Sequence, residues 1–315
     1  MKNKAKFILL VAISLITNSC INDFELDTGD GSPLVVIEGQ IDNDGNNYIR
    51  LTYSNPPLKL VRIGPTKHSE AVPIENAIIQ IADNEGYSEI MKPIAVSETF
   101  YNNPEFSGFY NAENLIGKPG NTYYLTITVG GSTYTAEAYM PSVSEIDSVG
   151  LQRVDGLPGK DFSRQPLIYF SEPQNEKNYY LTKICYRFIA PNDTDTVKYD
   201  INCRLGSRVW NFSLLDDRYL DSYINGLNLN DGESPDGRDF NLHPDPYNIE
   251  TPELQMYSLT KEAFEYYEAL IKQFNNDGGI YQPSPASAPS NIKGGALGFF
   301  NASAVSKKLI VFDPG

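Results

Sequence analysis

The sequence predicts a mainly β protein: two antiparallel β-sandwich domains, with one α-helix in the C-terminal one. Three observations lead there. Apolar–polar alternations of period two recur along the chain, separated by turns bearing Gly, Asn, Asp and Pro. The 21 tyrosines, with Val, Ile and Thr, suit pleated and half-buried surfaces. A single segment carries apolar residues at helical spacing. A length of 315 residues allows about two domains.

The chain begins MKNKAKFILLVAISLITNSC. Lys2, Lys4 and Lys6 precede an apolar block, 7–16, that is too short to span ~30 Å of hydrocarbon as a helix. Residues 1–19 therefore read as a secretory signal peptide. Cys20 at its end resembles the bacterial lipoprotein signal, in which that Cys becomes the lipidated first residue, although Thr17 stands where Leu is usual. An ordinary cleaved signal with a stray cysteine is the competing reading. Residues 20–32 are polar and acidic, a tether. Asp23 and Glu25 resemble the signal that sends some Bacteroidetes lipoproteins to the outer face of the outer membrane; otherwise they are a solvated linker. Removing residues 1–19, with three lysines and no acid, takes the formal charge from −15 to −18. Such acidity excludes nucleic acid, which is held by Lys/Arg clusters, and docking on an anionic membrane through a basic surface. No second apolar stretch approaches membrane length.

The N-terminal domain is expected over 33–141. Residues 34–39 form a strongly apolar strand, and Asn43-Asp44-Gly45-Asn46 turns it. Residues 48–53 alternate with period two. Residues 77–82 are a strand, and Asp83-Asn84-Glu85-Gly86 turns it into 87–91. Residues 123–129 and 133–139 flank Gly130-Gly131, the strongest hairpin signal in the chain. Strands at this spacing without intervening helices favour a sandwich of Ig-like type. Residues 142–166 shift toward polar, Gly and Pro content and read as a linker, with 149–151 able to open the second domain.

The C-terminal domain is expected over 167–315. Residues 167–170 are a strand; 179–190 and 196–205 are the arms of a hairpin around Pro191-Asn192-Asp193-Thr194-Asp195. With the turn centred near Thr194, Cys185 and Cys203 face each other closely enough for a disulfide, which persists in an oxidising compartment; two buried free thiols are the alternative. A strand at 209–214 precedes a long acidic irregular loop, 216–250. After a strand at 254–259, residues 260–275 form the helix, with Ala263, Tyr267, Leu270, Ile271 and Phe274 on one face and Ser258 or Thr260 as cap. Asn276-Asp277-Gly278-Gly279 ends it. Residues 283–289 are extended and proline-bearing, and strands at 294–300 and 309–312 close the chain.

The chemistry is sparse. His68 and His243 are the two histidines, both in irregular segments, and G-x-S-x-G, H-E-x-x-H, C-x-x-C and P-loop motifs are missing. A non-enzymatic role is expected; a pair of carboxylates at ~5–9 Å, as glycoside hydrolysis needs, is the catalytic option that remains. No cofactor is expected other than calcium. Oxygens at Asp42 and Asp44, and in the loop at Asp231, Glu233, Asp236 and Asp239, suit that ion, with solvated acidic turns as the plainer account. Trp210, Tyr219, Tyr223 and Tyr247 sit in or beside the long acidic loop, where exposed rings can contact a ligand or partner.

The stretch Pro289-Ser290-Asn291-Ile292-Lys293-Gly294-Gly295-Ala296-Leu297-Gly298-Phe299-Phe300, the earlier 258–267 and the run 33–39 together resemble the DUF4249 family of Bacteroidetes lipoproteins. The glycines read as close backbone approach or bulges, not as a site. The resemblance implies an outer-membrane lipoprotein, held in the bilayer by acylated Cys20, that accompanies a TonB-dependent receptor and binds a ligand or that receptor. A surface adhesion or cell-envelope structural module is the alternative, and a carboxylate-dependent hydrolase the second. The resemblance carries over no catalytic residue.

Overall fold

The structure is a computed structural model that describes residues 33–54, 72–94, 107–154, 163–174, 176–185, 187–189, 197–199, 212–217, 222–229, 252–275 and 288–311, all within one compact unit. In chain order its first strands are β1 (Val35–Asp42), β2 (Tyr48–Tyr53), β3 (Val72–Pro73), β4 (Ile78–Asp83), β5 (Ser88–Ile90), β6 (Lys92–Pro93), β7 (Phe109–Asn111), β8 (Thr122–Val129) and β9 (Ser132–Tyr139). There follow β10 (Ile146–Val154), β11 (Ser163–Ser171), β12 (Tyr179–Cys185), β13 (Arg187–Ile189), β14 (Val197–Tyr199), β15 (Phe212–Asp216), β16 (Tyr223–Asn228) and β17 (Glu253–Leu259). Helix α1 (Lys261–Asn275) precedes β18 (Leu297–Ser303) and β19 (Val305–Leu309). The protein is mainly β, with one α-helix among the described residues. That helix is not long and apolar enough to cross a membrane.

Alternation in β1 sends Val35, Ile37 and Ile41 inward, and alternation in β8 does the same for Tyr123, Leu125 and Ile127. Those faces share one core. It lies between a six-stranded sheet, ordered β18-β1-β2-β7-β6 with β3 on β2, and a four-stranded sheet, β5-β4-β8-β9. Gly39 holds an inward position in β1 without a side chain, which leaves room for the Phe300 ring beside it. The β8–β9 hairpin turns through Gly130 and Gly131, both at positive φ, as a two-residue turn of matched twist requires.

A second core joins Ile168, Phe170 and Ile224, on the sheet β10-β11-β16, to Tyr180, Ile184 and Met256 on the sheet β15-β12-β17-β19. The opposite face of the latter sheet is covered by α1: Leu181, Leu214, Tyr257 and Leu259 meet Ala263, Ile271 and Phe299. β17 is therefore buried on both sides along its whole length, Glu253, Gln255 and Ser258 included. Thr260 Oγ1 accepts the Ala263 N–H at 3.2 Å and caps α1, taking the role open to either Ser258 or Thr260. Ser258 Oγ instead donates to the Pro141 carbonyl at 2.8 Å and accepts the Ala304 N–H at 3.1 Å.

Several expectations are corrected. Much of 142–166 is strand: β10 pairs with β11 along most of its length, Val149 with Ile168 and Leu151 with Pro166 among the pairs. The loop expected over 216–250 contains β16, which pairs with β11 and adds Ile224 to the second core. Gly294 and Gly295, both at positive φ, delay the strand expected at 294–300 until Leu297. The closing strand falls at Val305–Leu309, not 309–312, because β19 pairs with β17. Among the described strands one ladder is parallel: β18 runs alongside β1, with Glu38 beside Phe299 and Gly39 beside Phe300. The pairs of the β13–β14 hairpin, Arg187 with Tyr199 through Ile189 with Val197, are centred on residue 193, one before the centre that would oppose the cysteines. Cys185 is buried with a free thiol, and Cys203 lies outside the described residues.

Candidate functional site

β1 presents its outward positions, Glu38 and Gln40, on the face away from the first core. The β1–β2 turn fixes the register so that Glu38 lies directly opposite Arg50, while the parallel β18 sets Phe299 on its other side. Arg50 pairs in turn with Phe109 on β7, and its guanidinium stands 5.2 Å from the centre of the Phe109 ring. Tyr48 meets Phe109 at 5.8 Å. From the helix, Tyr266 stacks on Phe299 with centroids 4.7 Å apart and planes 21° apart, and Tyr267 meets Tyr266 edge-on at 5.4 Å. One carboxyl and one guanidinium thus sit among five aromatic rings supplied by β2, β7, β18 and α1.

The electrostatics follow from burial. Removal from water pushes the Glu38 carboxyl from an ordinary 4.5 up to about 7, and the attraction of Arg50 only partly opposes it. Burial first, then the Glu38 charge, raises the hydroxyls of Tyr48, Tyr266 and Tyr267. The chemical result is a carboxyl that takes up and gives up its proton near neutrality. The sequence holds a signal for it: an acid in the middle of an otherwise apolar strand, Leu34-Val35-Val36-Ile37-Glu38-Gly39, with a base on the partner strand.

The residues singled out from the sequence are not gathered there. Cys20, Cys203, Trp210, Tyr219, Tyr247, Asp231, Glu233, Asp236 and Asp239 lie outside the described residues. Tyr223 is 45% exposed at the start of β16. Its hydroxyl is raised by desolvation and by the charge of Asp147, to which it is hydrogen-bonded. Asp42 and Asp44 build a turn. Asp42 Oδ1 accepts the N–H groups of Asp44 and Asn46, both at 2.9 Å, and Asn43 Oδ1 accepts the Val305 N–H at 2.7 Å. Asp44 Oδ2 meets the Lys307 ammonium. Asp42 Oδ1 and the Asp44 carboxylate thus face backbone donors and a lysine, and Asp44 ties the β1–β2 turn to β19, while Asp42 Oδ2 is buried without a hydrogen-bond partner among the described residues. Among the described residues no group of three or more His, Cys, Asp or Glu is placed to hold a metal ion.

Sequence reasoning also missed a buried acid, Glu172. It accepts from Tyr180 Oη at 2.8 Å and Asn178 Nδ2 at 2.9 Å, and the Asn178 backbone N–H donates to Asp217 at 3.2 Å. Burial raises its pKa. Both Glu172 oxygens are satisfied from within, so the group fastens the end of β11 to the start of β12.

These features define a β-rich protein whose conspicuous polar cluster is built into a sheet face. The family model for the domain of unknown function DUF4249 matches residues 21–309, and the chain belongs to that family. No curated protein matches the chain.

Proposed function

We propose that the chain is an accessory lipoprotein of the outer membrane, anchored by an acylated Cys20, whose β-rich body binds a ligand or partner receptor as the companion of a TonB-dependent transporter. The observation that carries this reading is the N-terminal segment. Three lysines and an apolar block too short to span a bilayer end at Cys20. From Cys20 to Ser32 there are 13 residues, a reach of roughly 45 Å if extended. That length suits a folded body displayed clear of a lipid surface. The exposed Tyr223 at the start of β16 agrees with a binding role. We read the body as two Ig-like sandwiches, one around each core, with β18 from the later part of the chain completing the first; the two sheet pairs, each closed on its own core, support that reading.

Two measurements test it. Cys20→Ala should move the protein from the membrane fraction to the soluble one, and mass analysis of the wild type should find an acylated N-terminal cysteine. Capture from detergent extracts of native membranes should bring down a β-barrel receptor. Retention of Cys20→Ala in the membrane would remove the anchor from the picture. Capture of surface or matrix material without a barrel would favour the adhesion module instead.

A further inference from the structure

The contact between α1 and the outer face of the first sheet has an unusual composition. Ala263 and Ile271 fasten the helix to the β12–β15–β17 face through apolar contacts. Toward β1 and β18 it presents Tyr266, which rests on Phe299, the residue beside Glu38, while Tyr267 lies edge-on against Tyr266. We propose that this second contact is a proton-operated latch, in which neutral Glu38 lets the aromatic seat hold α1 and ionised Glu38 loosens it.

The geometry supplies the parts. Among the described residues, the groups around Glu38 are Arg50 and Tyr48 from β2, Phe109 from β7, Phe299 from β18, and Tyr266 and Tyr267 from α1. Arg50 is the one charge in that set, and it also stands over the Phe109 ring. A carboxylate formed here exchanges water for aromatic carbon, and the attraction of Arg50 only partly offsets that cost. The direction is fixed by linkage. The seated carboxyl titrates near 7, while an unseated, solvated one titrates near 4.5. The seated state therefore binds more protons between those values, and it loses ground as pH rises through them. Below 4.5 the effect is absent because both states are neutral, and well above 7 it is constant.

Hydrogen–deuterium exchange of the full mature chain reads the latch. For peptides covering 261–275, at about pH 6 and about pH 8 and corrected for intrinsic exchange, the helix-opening equilibrium should rise about tenfold in the wild type. In Glu38→Gln it should stay the same at both pH values. An unchanged wild type, or a variant that keeps the rise, overturns the proposal. If Glu38→Gln does not fold, the wild type alone still decides. The Glu38 side-chain carboxyl carbon shift should titrate with a midpoint between about 6 and 8, and the ring resonances of Tyr266 should follow it. A midpoint below about 5, or Tyr266 signals that ignore the titration, overturns the latch.

Discussion

At Gly298 the backbone takes φ +101°, and a Cβ built there would lie 1.9 Å from the Ile37 carbonyl oxygen. Neither the dihedral nor the space admits a side chain. Gly298→Ala should cost about 3 kcal/mol or more in urea denaturation, the sum of a left-handed backbone and a displaced β1. Gly295→Ala is the control: φ is +86° but nothing lies within 4 Å, so the cost should be about 1 kcal/mol. Equal losses would show that crowding against Ile37 is unimportant. Asn291 has a related role. Its side-chain amide accepts the Phe300 N–H at 2.9 Å and donates to the Phe300 carbonyl at 2.7 Å, as a neighbouring strand would. The open edge of β18 is thereby blunted. The glycines were legible as structural because their type alone limits what they can do. The task of Asn291 was not, because its partner lies nine residues away across two bends.

Among the elements, α1 was legible to within a residue because helical periodicity, a Thr cap and a following Gly pair all agree. Thr260→Ala should lower stability by about 1 kcal/mol, read as a shift in the urea midpoint with the slope unchanged, because the Ala263 N–H loses its acceptor. A neutral substitution would mean that Ser258 or water replaces the cap. β10 and β16 were hidden for a common reason. Each is interrupted by a glycine, Gly150 and Gly226, at a position where a strand ordinarily carries a packing side chain. In the fold, Tyr169 on the intervening β11 lies against both: its ring atoms come within 3.3 Å of where either Cβ would be. A side chain on one strand supplies the packing that its two neighbours lack, and no single-strand pattern reveals that. The candidate site divides in the same way. Glu38 opposite Arg50 follows from a short turn within one hairpin. Tyr266 against Phe299 depends on how α1 and β18 return to the sheet.

For the whole molecule the decisive strand is β18. It borders β1 in the first sheet, places Phe300 and Ala302 in the first core, and continues through buried Ala304 into β19 at the edge of another sheet. The first core is therefore incomplete without residues from the far end of the chain. A fragment spanning 33–141 alone should unfold without cooperativity and be cut readily by protease. Phe300→Ala in the full chain should cost about 3–5 kcal/mol and weaken exchange protection in β1 and β2. A stable, protease-resistant 33–141 fragment would disprove this dependence. Sequence patterning located β1 and the C-terminal motif separately, but parallel pairing across some 260 positions leaves no local trace. During synthesis the ribosome releases the chain in order, so Val36 waits for Leu297 until some 260 further residues have been added. Until then the nascent polypeptide keeps an unfilled first core.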